Sequence, residues 1–156
     1  MRDDSGLPQI DFRVMNPAEP PASELLAAMV AEMVELYDGI GPPPATTADL
    51  TPPRGTFLVG FESDEPVCSG ALTLLGNGTA EIKRMYVMPA ARRRGIARRL
   101  LAALEDVARD MGCDVARLDT GALQPHAQAL YEASGYVAIP DYNANPKAAF
   151  WGEKRL

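Results

Sequence analysis

The sequence predicts an α/β fold of the α+β type, built on a mixed, mostly antiparallel central sheet of about seven strands flanked by helices. Three strand patterns separated by short turns follow one another between residues 55 and 89, which is typical of an antiparallel meander. One amphipathic helix pattern then separates the strands around Ala80 and Val115, and such a crossover favours a parallel pair. Strand and helix patterns alternate from there to Leu156, which favours a sheet covered by helices.

The N-terminal part predicts one strand, one helix and an irregular loop. The segment "DFRVM" at 11–15 is the first strand candidate, and "PASELLAAMVAEMVELYDG" carries a helical repeat. We expect Ser23 to be the N-cap of this helix and Gly39 to end it. The loop "IGPPPATTADLTPPRG" has five prolines and room for at most a short helical turn around Thr47 to Leu50. The apolar face of the helix comprises Leu25, Leu26, Met29, Val30, Met33 and Leu36.

The later elements follow the same two periodicities. The meander consists of "GTFLVGFES", "EPVCSGALTLL" and "GTAEIKRMYVMP", and Val87 to Gly112 predicts a turn followed by a helix. A short strand around Val115 to Asp119, a helix in "PHAQALYEASG" that ends at Gly135, and strands in "YVAI" and "AAFWGEKRL" complete the chain. The apolar stripe of the helix after the turn comprises Ile96, Leu100, Leu101, Leu104, Val107 and Met111.

Length and composition narrow the function classes. A chain of 156 residues with 47% hydrophobic side chains fits a single domain over 1–156, with 1–9 as a loose terminus. The net charge of −6 argues against a nucleic-acid partner. The first twenty residues hold no apolar run and no stretch is long enough to span a bilayer, so we expect a cytoplasmic protein without a membrane partner. Cys68, Cys113 and His126 do not have metal-ligand spacing, so we expect reduced thiols and no metal.

One basic cluster stands out in this acidic chain. Five of the fifteen Lys and Arg residues lie between Arg92 and Arg99, around Gly95, where a helix begins. A helix start offers unpaired N–H groups and the positive end of the macrodipole, Gly95 lets the backbone approach an anion, and arginine adds bidentate donors. The patterns GxxxxGK[ST] and GxGxxG are absent, which disfavours a nucleoside triphosphate or NAD. The alternative is that the run is only the solvated face of an ordinary helix.

Two motifs together resemble the GCN5-related N-acetyltransferase (GNAT) family over about residues 55–156. The family pattern Q/R-x-x-G-x-G/A after the fourth strand is matched by "RRRGIA", which begins at Arg92. A helix with a leucine-tyrosine pair followed by glycine and an aromatic residue is matched by Leu130, Tyr131, Gly135 and Tyr136. The resemblance implies the GNAT-like acyl-CoA N-acyltransferase fold, acetyl-CoA as the acyl-donor cosubstrate, and transfer of the acetyl group to an amine.

The resemblance also implies the cofactor contacts. Gln124 stands where many members have an asparagine that touches the pantetheine, which puts that contact in doubt. For Arg98 and Arg99, contact with the 3′-phosphate of CoA and a solvated position both remain open. The expected pantetheine contacts are Met85, Tyr86 and Val87, and the expected pyrophosphate contacts are Arg92, Arg93, Arg94, Gly95, Ile96, Ala97 and Arg98, mainly through backbone N–H groups.

Two residues are the catalytic candidates that the resemblance implies. Glu81 stands where several members have a glutamate that removes the amine proton, here through water, although a structural partnership with Lys83 or Arg84 is the alternative. Tyr131 corresponds to a tyrosine that hydrogen-bonds the CoA sulfur and protonates the leaving thiolate, with a packed aromatic as the alternative.

The acceptor is a small-molecule amine in this interpretation. The family frames the acceptor site with the segments that correspond here to 37–50 and 140–147, whose polar groups suit a small polar or cationic amine or an amino acid. A peptide or protein N-terminus, a longer acyl chain and a non-catalytic acyl-CoA sensor remain alternatives, and the family's frequent dimers leave a homodimer open. The candidate acceptor contacts are Tyr37, Asp38, Tyr142, Asn143 and Asn145.

Overall fold

The computed structural model describes residues 6–42 and 45–156, and the described chain forms one seven-stranded mixed sheet. The strands are β1 (Asp11–Val14), β2 (Gly55–Glu62), β3 (Glu65–Gly76), β4 (Thr79–Val87), β5 (Val115–Gly121), β6 (Val137–Ala138) and β7 (Ala148–Arg155). Their order across the sheet is β1-β2-β3-β4-β5-β7-β6. The β4–β5 pair is parallel and the other neighbours are antiparallel, which confirms the predicted sheet.

Three α-helices of the described chain cover the two faces of the sheet. They are α1 (Ala22–Leu36), α2 (Ile96–Asp110) and α3 (Pro125–Ala133), and short 3-10 turns occupy Ala48–Leu50 and Pro89–Ala91. Alternation along β2 sends Leu58 into the core under α2 and Phe57 into the core under α1. Helices α1 and α2 therefore bury their apolar faces against opposite sides of the same strands, whereas α3 packs on β5 and β7.

The first helix differs from its prediction at its start and in one residue of its apolar face. It begins at Ala22 because Pro21 already has helical backbone angles (φ −82°, ψ −6°), so the expectation that Ser23 is the N-cap is wrong. Its last regular residue, Leu36, is 40% exposed and leaves the predicted apolar face. Gly39 takes φ +88° and donates its N–H to the Val34 carbonyl at 2.7 Å, which ends the helix as predicted.

Other features of the chain concern its N-terminus and cysteines. Residues 1–5 of the predicted loose terminus, and Pro43 and Pro44 of the proline-rich loop, lie outside the described residues. At Pro8 the carbonyl accepts a hydrogen bond from the Arg99 guanidinium. Cys68 and Cys113 are buried free thiols as predicted, and burial raises the pKa of Cys68 to about 12. None of the helices in the described ranges has the length and apolar character needed to span a membrane.

Candidate active site

The central sheet opens between its two parallel strands. In the described chain β4 and β5 pair at three positions, from Thr79 opposite Val115 to Glu81 opposite Arg117, although both strands continue beyond. The divergence follows an irregularity in β4, where the register with β3 shifts between Ser69 and Ala71 and Arg84 adopts φ +58°. Such a bulge increases the local twist and turns the strand away from its neighbour. The result is a fork in which β4 and β5 continue beyond Glu81 and Arg117 without pairing with each other.

A pocket of about 420 Å³ lies at this fork. It receives residues from β4, from the end of β5, from α1 and α3, and from the loop between β6 and β7. The predicted site residues that it brings together are Glu81, Met85, Gln124, Tyr131, Tyr37, Asn143 and Asn145.

Glu81 is the last residue of β4 that pairs with β5, and its side chain is only 12% exposed. The Tyr142 hydroxyl donates to its Oε2 at 2.8 Å and Asn143 Nδ2 donates to the same oxygen at 3.3 Å. Lys83 Nζ lies 3.2 Å from Oε1. The carboxylate thus lines the pocket and is also the partner of Lys83, so the structure retains both predicted interpretations of this residue. Desolvation raises the pKa of Tyr142, with the Glu81 charge as a further cause, and keeps this phenol a donor.

Tyr131 faces Glu81's strand from α3. Its side chain is 8% exposed, and its hydroxyl lies 3.8 Å from the Met85 sulfur. Desolvation raises the pKa of Tyr131 to about 12, with the charge of Asp119 as a smaller cause. A buried phenol with this pKa remains protonated at neutral pH and can supply a proton or a hydrogen bond to a group in the pocket.

The end of α1 reaches the pocket through Tyr37. The Tyr37 hydroxyl donates to Gln124 Oε1 at 3.3 Å, and a Cβ at Gly121 would overlap this hydroxyl. Gly121 therefore permits the close approach of α1 to the end of β5. Lys147 holds the same region, since its Nζ donates to the Ile40 carbonyl at 2.9 Å. Asp38 is exposed at φ +51° and does not occur among the described residues that line the pocket.

A second carboxylate, Asp119, lines the pocket and was missed by the sequence reasoning. Asn143 Nδ2 donates to its Oδ2, and Asn145 Nδ2 lies 3.4 Å from both of its oxygens. In the sequence Asp119 is only an acidic residue near the end of a predicted strand. In the structure it lies two positions after Arg117, the last residue of β5 that pairs with β4. The fork therefore carries carboxylates on both of its strands.

The arginine-rich turn lies between β4 and α2. Gly95 is the N-cap of α2 at φ +75°, and the first helical bond runs from the Arg99 N–H to the Gly95 carbonyl at 3.4 Å. The N–H groups of the first turn, which include those of Ile96, Ala97 and Arg98, therefore have no acceptor within the helix. This geometry retains the anion-binding capacity that the sequence predicted.

The arginine side chains of the turn differ in their partners. Arg92 pairs with Glu32 of α1 at 2.7 Å and lies over the Tyr86 ring, and Arg94 pairs with Glu62 at 2.6 Å. Within the described chain, the side chains of Arg93 and Arg98 make no ion pair or hydrogen bond. Arg92 and Arg94 are exposed, as the solvated-face alternative expects, and their ion pairs also tie the turn to neighbouring elements.

Two pantetheine candidates differ from Met85 in their surroundings. Tyr86 is buried in the core under α1. Val87 packs against the core under α2, and its carbonyl accepts a hydrogen bond from Arg92 Nε at 2.9 Å. Among the described residues no cluster of three metal-ligating side chains occurs.

The forked sheet thus holds a pocket, with the start of α2 and its N–H groups free of helical acceptors following the end of β4. Solved structures share this fold. One is a Klebsiella pneumoniae protein described as an acyl-CoA N-acyltransferase, with 30% identity, a TM-score of 0.78, and coverage of 95% of this chain and 98% of that one. Another is the PaiA N-acetyltransferase of Thermoplasma acidophilum in complex with coenzyme A, with 17% identity, a TM-score of 0.72, and coverage of 95% and 99%.

Sequence comparison gives the family. The model of the acetyltransferase (GNAT) family matches residues 23–136. An IAA acetyltransferase of Azospirillum brasilense is 31% identical over 148 residues, which cover 92% of this chain and 97% of that protein. The N-acetyltransferase YsnE of Bacillus subtilis is 31% identical over 110 residues, covering 67% and 73%. The chain belongs to the GNAT family, and its activity class is that of an acetyl-CoA-dependent N-acetyltransferase.

Proposed function

We propose that this protein transfers the acetyl group of acetyl-CoA to the primary amine of a small polar molecule or amino acid. The observation that carries the proposal is the shared pocket of Glu81 and Tyr131, one from each side of the fork. One lining residue can accept a proton and the other can supply one, which are the two proton transfers that acetyl transfer to an amine requires.

The fork fits the acyl donor. Amide groups of an extended arm can pair with the unpaired inner edge of β4 beside Met85, as an added strand would. The N–H groups at the start of α2 favour the pyrophosphate, and Arg93 and Arg98 are available for phosphate oxygens. Arg98 also lines a smaller pocket, of about 210 Å³, together with Lys154. This placement supports a 3′-phosphate contact for Arg98, while the Arg99 guanidinium is held by Pro8.

The proposed chemistry divides between the two residues. A protonated amine cannot attack a thioester, so Glu81 accepts the ammonium proton through a water molecule. The amine nitrogen then forms the new C–N bond as the C–S bond breaks. Tyr131 gives its proton to the departing sulfur, and the second proton lost from nitrogen restores the phenol. The acetyl group ends on the amine, CoA leaves as the thiol, and one proton is released.

The acceptor side is formed by Tyr37, Asn143 and the carboxylates, whereas Tyr142 does not occur among the described lining residues and reaches the site only through its hydrogen bond to Glu81. The two carboxylates can accept hydrogen bonds from an amine, and because Lys83, Arg84 and Lys147 also line the pocket, the lining supports a polar acceptor rather than a purely cationic one. A pocket of about 420 Å³ has the size of a small-molecule site, which supports a small molecule over a protein N-terminus. A sensor that only binds acyl-CoA would not need Glu81 and Tyr131 in one pocket, which favours the enzyme.

Turnover against pH, with the best amine from a panel, tests the proposal. We expect Glu81→Gln to lose about 10²- to 10⁴-fold at neutral pH and to recover in part near pH ~9.5, where solution deprotonates more of the amine. Acetyl-CoA affinity should stay at the parent's value. An unchanged profile would make Glu81 a structural carboxylate, and absence of thiol release with every amine would favour the sensor.

A further inference from the structure

The side chain of Asn143 has a fixed orientation. Its Oδ1 accepts from Trp151 Nε1 at 3.0 Å and from the Asn145 backbone N–H at 3.2 Å. An indole N–H can only donate, so the oxygen must face Trp151 and the NH₂ group must point the other way. Trp151 lies on β7, next to β5 in the sheet, opposite Asp119. A strand of the sheet thus sets the direction of a loop side chain.

The NH₂ group of Asn143 bridges the two strands of the fork. It donates to Glu81 Oε2 on β4 at 3.3 Å and to Asp119 Oδ2 on β5. An amide nitrogen has two hydrogens, so both are committed, one to each carboxylate. The side chain consequently has no remaining N–H for an acceptor molecule, and its effect on the reaction must pass through the carboxylates.

We propose that Asn143, oriented by Trp151, is a positioning residue that holds the Glu81 carboxylate beside Asp119 and so prepares Glu81 to take the acceptor's proton. The inference rests on the proposed role of Glu81 as the base. Two carboxylates that share one pocket repel each other, and a neutral donor between them offsets the repulsion without adding a charge that would compete for the acceptor's ammonium.

Other groups surround the Glu81 carboxylate and are common to all variants considered below. Lys83 pairs with its Oε1 and Tyr142 donates to its Oε2, and the Arg117 guanidinium lies over the Tyr142 ring at 5.4 Å. Further titratable or charged residues that line the pocket are Tyr37, Arg84, Asp119, Tyr131 and Lys147.

The first test is Asn143→Ala, followed by turnover against pH. Without the bridging donor, the repulsion between the carboxylates favours protonation of the pair, so the acid limb of the turnover profile should move to higher pH. Turnover at neutral pH should fall about 10- to 100-fold, the range expected when a charged group loses one hydrogen bond. The KM for acetyl-CoA should remain that of the parent, because the arginine turn and the inner edge of β4 are untouched.

Trp151→Phe separates positioning from loop packing. It keeps an aromatic ring in β7 and removes the N–H that orients Asn143 together with part of the indole ring, so it should shift the acid limb in the same direction by a smaller amount. It carries the test if Asn143→Ala fails to fold. Asp141→Ala is the matched control, because Asp141 Oδ1 accepts from the Asn143 and Ala144 backbone N–H groups at 3.0 and 2.7 Å and touches neither carboxylate. It should lower the unfolding temperature and leave the acid limb in place.

Three results would overturn the inference. The first is an unmoved acid limb in folded Asn143→Ala and Trp151→Phe, including the case in which only the acceptor's KM changes. The second is an equal shift in Asp141→Ala, which would make the limb a measure of loop order. The third is additivity: Asn143→Ala should cost little more in a Glu81→Gln background, and a full additional loss would mean that it acts elsewhere. If the single variant Glu81→Gln keeps the parent's pH profile, the proposed base and the inference fail together. If Glu81→Gln loses turnover but Asn143→Ala does not, only the positioning role is refuted.

Discussion

The two tyrosines at the C-terminal half offer a matched test of catalysis against stability. Tyr131 and Tyr136 are both buried, and their rings meet edge to face with centroids 6.1 Å apart. Their hydroxyls differ. That of Tyr131 has the Met85 sulfur at 3.8 Å, a weak contact, whereas that of Tyr136 donates at 2.8 Å to Glu105, a carboxylate that is only 5% exposed. Substitution by phenylalanine removes one oxygen from each and keeps both rings.

The expected losses fall on different properties. Tyr131→Phe should lower turnover by about 10²- to 10⁴-fold, an increase of roughly 3 to 5 kcal/mol in the barrier, and change the free energy of unfolding by less than about 1 kcal/mol. Tyr136→Phe removes a hydrogen bond to a buried charge, so it should cost about 1.5 to 3 kcal/mol of unfolding free energy. For a chain of this size that lowers Tm by about 3 to 12 °C, while turnover below the transition stays near the parent's.

The assay is turnover from pH about 6 to about 9.5, together with thermal unfolding of both variants. Because burial raises the pKa of Tyr131 to about 12, the phenol stays protonated over this range and the loss in Tyr131→Phe should be constant with pH. Parental turnover in Tyr131→Phe would make Tyr131 a packed aromatic residue only. A loss that disappears toward the alkaline end would show that the phenol titrates within the range, and would refute the argument from its burial.

Four further substitutions test the proposed acetyl-CoA contacts and the acceptor side of the pocket. Gly95→Val places a β-branched residue at φ +75° and should weaken acetyl-CoA binding at least tenfold in calorimetric titration. The parent should bind acetyl-CoA more tightly than an unrelated anion, and the variant should lose this difference if the turn binds the pyrophosphate. Arg98→Ala should reduce the preference for CoA over dephospho-CoA, and a preference equal to the parent's would contradict the 3′-phosphate contact. Arg99→Ala is the control: it should keep that preference and lower Tm, because the Arg99 guanidinium binds the Pro8 carbonyl. Gly121→Ala should displace the Tyr37 hydroxyl and raise the acceptor's KM about tenfold with unchanged acetyl-CoA affinity, and an unchanged KM would remove Tyr37 from the acceptor wall.

Periodicity and motif spacing predicted the elements and the two proposed catalytic positions. The alternation in β2 to β4 and the apolar stripe of α2 depend on which side of each element is buried, and that is a local property of the sequence. Local patterns do not give the separation of distant elements. The partner of Arg92 is a glutamate 60 positions earlier, on the helix that covers the other sheet face, and no spacing rule connects them.

Asp119 shows the same limit inside the site. In the sequence it is one polar residue at the end of a strand, which is equally compatible with a solvated surface position. Its function as a pocket carboxylate depends on the divergence of β4 from β5, and that divergence follows from a bulge opposite Gly70. A Cβ at Gly70 would lie 2.9 Å from Leu104 Cδ1 of α2, so the bulge is itself fitted to a helix that packs across it. Such a chain of tertiary contacts has no signature in a single sequence.

The short parallel pairing between β4 and β5 has a consequence for how the protein folds. Strands β2 to β4 form through neighbouring hairpins, whose contacts are close in sequence and carry a low entropic cost of loop closure. The β4–β5 junction joins strands that α2 separates in sequence, so we expect it to close later, and it contributes three residue pairs of the described chain. We therefore expect amide hydrogen exchange to show two cooperative units that separate along this junction, with Thr79 to Glu81 exchanging through openings of lower free energy than the centre of β3. The ability to bind acetyl-CoA would then be the last property the folding chain acquires, because the proposed acetyl-CoA site lies on the line along which its two halves meet.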